Sequence, residues 1–322
     1  MKYGLRSLIL LVFTTFSLLS QAQTMADAIA AYNKGVELQA TDTKGAIAAL
    51  EQCYTISEKL GAEGDSLKTV VGKAIPVLYN KQANDLVEAK KYVEAISAYQ
   101  QVVNVAQKYG DTETAVKANS ILPQLYYGAG LDAYNQKNDA NAVSYLEKAV
   151  AADSTNTKPM YVLAVVYQRM NNAPKFLSTL DKFLTTAKSQ NDEASVEKAN
   201  NLGKRYYTVA YANNAKANKL NESIESLKKA LQYAPEDKDL NFFLGQSYNK
   251  AKKYDLAIET LKKALSLETG SAEEKAKYYF ELGNAYVAKS DNTNACDAFK
   301  NAQYGKYAEN AKYQITTVLK CK

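Results

Sequence analysis

The sequence has no histidine and no tryptophan, three cysteines, five prolines and fourteen glycines in 322 residues. Each shortage excludes something. Without histidine there is no Ser-His-Asp triad, no Cys-His pair and no His-containing zinc site. No glycine-rich loop that could cradle phosphate and no calcium-loop spacing occurs. The chain is therefore not expected to be an enzyme, and no catalytic residue, metal or cofactor is expected. Sparse proline and glycine speak against a sheet protein, where turn residues recur more densely. What is present is 47% hydrophobic residues, enough to build a core, with abundant helix formers such as Ala, Leu and Lys.

No long apolar run follows the first two dozen residues. Those residues carry Lys2 and Arg6 ahead of an apolar stretch from about Leu8 to Leu19, then Ser20-Gln21-Ala22. This is the pattern of a secretory signal over residues 1–22, cleaved near Ala22-Gln23. The apolar run is shorter than the roughly 20 residues needed to span a bilayer; the alternative is an uncleaved anchor. No cysteine stands at the cleavage point, so lipid attachment there is not expected. The mature chain, residues 23–322, is expected to be periplasmic or secreted and not to insert into a membrane. Cleavage would lower the net charge from +6 to +4. Charges of both signs are interspersed, with no basic run interleaved with aromatics, so nucleic acid is not an expected partner.

The stretch Phe242 to Leu265 places Gly245, Tyr248, Ala257, Leu261 and Ala264 at helical intervals around a polar break at Lys252 and Lys253. Aligned on Ala257, equivalent positions are Ala46, Ala95, Ala142, Phe176, Ser223 and Ala295. Four residues later stand Leu50, Tyr99, Leu146, Leu180, Leu227, Leu261 and Phe299, and seven later Cys53, Val102, Ala149, Phe183, Ala230, Ala264 and Ala302. Seven windows thus share one helix face. Upstream, Gly35, Ala83, Gly130, Ala164, Gly245 and Gly283 supply a small residue on the preceding helix, and Tyr211 breaks the rule. The spacing is uneven because three pairs are preceded by related extensions, opening at Asp65, Asp111 and Asp192 as expected helix caps. Pro76 and Pro123 are expected to kink or restart two of the extended helices.

Leu244-Gly245-x-x-Tyr248 with Ala257, Leu261 and Ala264, and Leu282-Gly283-x-x-Tyr286 with Ala295, Phe299 and Ala302, resemble the tetratricopeptide repeat family. The resemblance implies an all-α fold, a right-handed α-solenoid of about seven stacked helix pairs with a C-terminal capping helix. The pairs would cover approximately 24–60, 65–109, 112–152, 157–189, 192–233, 236–267 and 271–303, with the cap over 306–320. Gly64-Asp65-Ser66-Leu67 also spells the nucleophile motif of a lipase and esterase family. Its serine has no histidine to take its proton, and a loop leading into a helix accounts for it.

The same resemblance implies that the first helix of each pair lines a concave face where extended peptides dock. Carried over residue by residue, that face comprises Tyr32, Asn80, Asn84, Tyr127, Tyr134, Tyr161, Gln168, Arg169, Phe242, Gln246, Asn249, Phe280 and Asn284. The expected role is a scaffold or adaptor binding a peptide segment or another envelope protein; the alternative is a glycan- or nutrient-binding module. A paired cationic clamp for C-terminal carboxylates is not evident in these residues. Cys53 falls on a packing position. Cys296 and Cys321 flank the last hairpin, and a bridge between them requires the final residues to bend back, since straight helices would leave the two about 10 Å out of step.

Overall fold

In the computed structural model, residues 23–322 are described, so the leader expected over residues 1–22 lies outside them. Among the described residues there are fifteen α-helices and no strand. They follow one another as α1 (Met25–Leu38) and α2 (Thr43–Lys59), α3 (Asp65–Glu88) and α4 (Tyr92–Lys108), α5 (Thr112–Asn135) and α6 (Asp139–Ala152), and α7 (Thr157–Arg169) and α8 (Ala173–Ser189). Then come α9 (Glu193–Lys216) and α10 (Leu220–Tyr233), α11 (Lys238–Lys250) and α12 (Tyr254–Ser266), α13 (Ala272–Ala288) and α14 (Asn292–Asn301), and the short α15 (Ala308–Tyr313). The chain forms two compact units that divide at Ala129–Gly130, inside α5. Within each unit, helices pack against their neighbours in the chain, as a stack of repeats requires.

The repeated face is what holds each pair together. All twenty-one aligned positions on the second helices, from Ala46, Leu50 and Cys53 to Ala295, Phe299 and Ala302, are at most 2% exposed. The small residues on the first helices face the large member of each set. A Cβ added to Gly35 would lie 2.5 Å from Leu50 Cδ2, one on Gly245 2.5 Å from Leu261 Cγ, and one on Gly283 2.7 Å from Phe299 Cε1. Absence of a side chain there lets the two backbones approach and the larger residue fill the crossing. Tyr211, the exception, turns its ring to Phe243, with centroids 5.6 Å apart. It shares a cleft of about 230 Å³ with the small Ser223 and Ser247.

The turns inside the pairs repeat as well. Lys90, Lys137, Asn171, Asn218, Lys252 and Ser290 all adopt left-handed backbone, with φ between 55° and 62°. In each turn the following amide reaches back to the first helix, as Lys253 N–H does to the Tyr248 carbonyl at 2.9 Å and Asn172 N–H to Tyr167 at 2.9 Å. This is a Schellman closure, which satisfies carbonyls at the helix end and fixes the angle at which the second helix leaves.

Helices α3, α5 and α9 each have 24 residues, against 13 in α7 and α11, so the three extensions continue the first helices as the sequence predicts. Asp111 and Asp192 accept from the Thr114 and Ser195 amides at 3.0 and 3.1 Å, as caps do. Asp65 does not cap α3. It is the first helical residue, and Gly64 precedes it without a side-chain cap. The reason is steric: Gly64 lies so close to Ser57 that a Cβ would collide with its carbonyl oxygen, and this contact sets how the chain enters the helix. Pro76 and Pro123 do not restart their helices, which run unbroken through both. Pro76 is buried, so packing holds the helix together across the missing amide hydrogen.

The C-terminal cap also differs from the single helix expected. A 3₁₀ turn at Gly305–Tyr307 leads into α15, and a π-helical turn follows at Gln314–Val318. Ala311, Ile315 and Leu319 lie on the apolar core shared by the last pairs. The wide turn and left-handed Lys320 swing Cys321 back, and its amide donates to the Ile315 carbonyl at 2.9 Å. Cys296 and Cys321 are thereby bridged, with Cα atoms 5.8 Å apart. Cys53 is a buried free thiol.

Between α12 and α13 the loop is held by a buried carboxylate. Glu268 accepts from Lys238 Nζ at 2.9 Å, from the Gly270 amide at 2.9 Å and from the Tyr278 hydroxyl at 3.3 Å. The lysine, then the amide, hold its carboxyl below the usual carboxylate range. Burial and then the neighbouring Glu268 charge push the Tyr278 hydroxyl up. A carboxylate whose folded pKa is depressed adds stability above its unfolded pKa and loses it as pH falls through the folded value. Glu268→Gln should therefore flatten the acid limb of stability below about pH 4.5; thermal melts of both proteins between pH 7 and pH 3 measure it.

Candidate functional site

Three helices of the second unit converge on a cavity of about 580 Å³. Its walls are the end of α7 and the turn after it (Gln168, Asn171, Asn172), the start of α8 (Ala173, Phe176) and one side of α9 from Arg205 to Asn213. The floor is aromatic and apolar. Phe176 is fully buried and packs on the Tyr206 ring at 4.8 Å, and Tyr206 meets Tyr207 edge-on at 5.1 Å. Val209, also in the wall, is 55% exposed.

The polar rim is made of amides and one cation. Arg205 donates to the Gln168 Oε1 at 2.9 Å. Asn172 uses its side-chain oxygen to accept from the Lys175 amide at 3.3 Å, which caps α8 and directs its amide nitrogen elsewhere. The left-handed turn at Asn171 brings both asparagines to the rim, so a local backbone requirement and the pocket chemistry meet in the same two residues. No aspartate or glutamate lines this cavity. A surface with an aromatic base, an exposed aliphatic side chain and convergent amides suits an extended peptide.

Of the residues expected on the concave face, Gln168 lies in this cavity. Tyr134 and Arg169 come together nearby: the guanidinium sits 4.4 Å from the Tyr134 ring centre and is ion-paired with Asp139. Tyr161 is half-buried, with Phe183 at 5.9 Å and Lys198 Nζ at 5.9 Å from its ring. Gln246 and Asn249 both donate to Glu281, at 2.9 and 3.1 Å, and the Asn249 Oδ1 has no partner. Phe280 is engaged by Phe299 and Tyr307 at 5.6 and 5.3 Å, whereas Asn284 is exposed.

Phe242 must be corrected. It is buried among the residues of the last pairs and stacks edge-on with Tyr278 at 5.2 Å, while its neighbour Phe243 is the partly exposed ring. In the first unit Asn84 is exposed and accepts from the Tyr99 hydroxyl. Tyr32, Asn80 and Tyr127 are half-buried. The first helices there also present Ile29 and Val36, two turns apart, and Val77, all exposed.

The cavity residues Asn171, Asn172, Arg205, Tyr206, Val209 and Asn213 are not among those expected from the sequence, and no residue of α9 is. Those of α9 lie on another face of that helix: the offsets at which the expected residues stand from the small residue on the other first helices fall, counted from Tyr211, on Thr208, Ala212, Ala215 and Lys216, none of which lines the cavity. The sequence signal for this wall is Arg205-Tyr206-Tyr207, an aromatic pair next to a cation on one of the three extended helices.

Residues 215–274 match the family model described as tetratricopeptide repeat, in agreement with the repeat pattern. Tetratricopeptide repeat protein 29 of Trypanosoma brucei brucei (strain 927/4 GUTat10.1) is 24% identical over 216 residues, covering 62% of this chain and 43% of that protein. The chain thus spans less than half the length of that curated relative. Among solved structures, a MamA protein is 19% identical, covering 62% of this chain and 96% of its own, with a TM-score of 0.33. A thermophilic tetratricopeptide-repeat protein of Thermus thermophilus is 17% identical, covering 61% and 98%, with a TM-score of 0.28.

Proposed function

From the premise that this chain is a tetratricopeptide-repeat protein, we propose that it acts as an exported scaffold that binds a peptide segment of another envelope protein at the α7–α9 cavity. The repeat fold by itself suggests protein–protein interaction. The observation that carries the finer reading is the cavity, where Tyr206 and Val209 offer apolar surface beside the Gln168, Asn171 and Asn172 amides. Its walls are helices packed into the stack, so the partner segment is ordered on binding while the receptor is largely ready.

Export rests on the leader pattern at residues 1–22, and a Cys296–Cys321 bridge is the kind of crosslink an oxidising compartment maintains. No described helix is long and apolar enough to cross a membrane. The test is in-cell photo-crosslinking from Val209, in the cavity wall, compared with Lys182, exposed on α8 outside it. Val209 should yield a discrete protein adduct that Lys182 does not.

A further inference from the structure

The charge in the cavity is unbalanced. Arg205 is the one charged residue among those lining it, and its guanidinium is exposed, with a neutral amide, Gln168 Oε1, as its hydrogen-bond partner. The other cation of this region, Arg169, is already neutralised by Asp139, and Lys204, next to Arg205 on α9, by Asp237 at 2.7 Å. Among the described residues no carboxylate forms an ion pair with Arg205, and the amides of Asn171 and Asn213 on the rim make no side-chain hydrogen bonds. The cavity therefore offers a planar cationic fork, two free amides and an apolar floor within a single volume of about 580 Å³.

Resting on the peptide-binding reading above, we propose that the segment taken by this cavity is acidic: an extended stretch in which a glutamate or aspartate carboxylate pairs with Arg205 and an adjacent apolar side chain lies on Tyr206 and Val209. An Arg–carboxylate pair is frequently bidentate and stronger than a neutral hydrogen bond. Gln168 holds the guanidinium from one side, leaving donors directed at the ligand. The carboxylate supplies what the cavity lacks, and the Asn171, Asn172 and Asn213 side chains can pair with the partner's backbone amides and carbonyls. A lysine-bearing segment would place like charges together, and a neutral one would leave the Arg205 charge uncompensated. The preference is thus for one sign of charge beside one apolar residue.

Fluorescence anisotropy on the mature chain tests this with capped, labelled hexapeptides of alternating phenylalanine and glutamate, phenylalanine and glutamine, and phenylalanine and lysine. The glutamate peptide should bind at least about tenfold more tightly than the glutamine one, the worth of one partly exposed charge-assisted pair. The lysine peptide should bind most weakly. Arg205→Gln should erase the glutamate preference without changing the melting temperature, because Arg205 is exposed, and Arg205→Lys should restore part of it. Equal binding of the glutamate and glutamine peptides, or a glutamate preference that survives Arg205→Gln, overturns the acidic preference. If both then weaken on Tyr206→Ala, peptide binding at the cavity stands while the charge rule falls. If no peptide binds and a neutral oligosaccharide such as maltoheptaose does, both readings fall together.

Discussion

Phe299→Ala is expected to remove about 3–5 kcal/mol from the last repeats, the range for emptying a large aromatic from a close-packed site. The side chain is fully buried. It fills the crossing above Gly283, where a Cβ would lie 2.7 Å from its ring, and meets Phe280 edge-on at 5.6 Å. Collapse into the space is restricted, because Gly283 on one side has no side chain to move in and Phe280 on another is packed against Tyr307 at 5.3 Å. In a stack where each pair contacts mainly its neighbours, the loss should be felt first at α13 to α15. Urea unfolding followed together with amide hydrogen exchange would show this as early opening of residues 272–318. A loss under about 1 kcal/mol spread evenly over the chain would mean that the small–large crossing is not what holds the pairs.

The second large effect is expected at the bridge. Cys296 and Cys321 close a loop with a sequence separation of 25 residues. A crosslink of that length contributes about 3 kcal/mol, mainly by restricting the unfolded chain. The short α15 and the π-turn that follows have few other anchors, namely Ala311, Ile315 and Leu319 on the core. A protein carrying both Cys296→Ser and Cys321→Ser should therefore lose exchange protection over residues 308–321 while α1 to α12 keep theirs. Cys53, buried and unpaired, should be unaffected in the same experiment. Adding a thiol reductant to the unaltered protein should reproduce the result.

Most of the fold was legible because the chain repeats one physical solution. Ala257, Leu261 and Ala264 form a face that six other windows copy, and every copy is buried. The extensions could be read as well, since α3, α5 and α9 share an opening pattern and a common length. Individual caps and kinks were less legible. Asp65 looks like Asp111 and Asp192 in sequence, but the approach of Gly64 to Ser57 is a tertiary contact that no local pattern reports. The bend that brings Cys321 to Cys296 depends likewise on a π-turn and a left-handed lysine, neither of which has a strong sequence signature.

The site was only partly legible, for a different reason. Assigning a groove face requires the phase of each first helix, and the expected residues all stand at a few fixed offsets from the small residue at the crossing. On α9 those offsets, counted from Tyr211, fall on Thr208, Ala212, Ala215 and Lys216, whereas Arg205, Tyr206, Val209 and Asn213 of the cavity wall lie on another face of the same helix. In α11 a single position decides: Phe242 is turned into the core and Phe243 towards solvent. Asn171 and Asn172 belong to the turn between α7 and α8, where helix periodicity says nothing.

The most direct measurement is photo-crosslinking in the producing cell from two positions of the second unit, Val209 in the cavity wall and Lys182, exposed on α8 outside the cavity lining. A discrete adduct from Val209 that is absent from Lys182, and that disappears when Tyr206→Ala is introduced, is the predicted result. Adducts that are the same from both positions, or that persist unchanged with Tyr206→Ala, would contradict the assignment of this cavity as the binding surface.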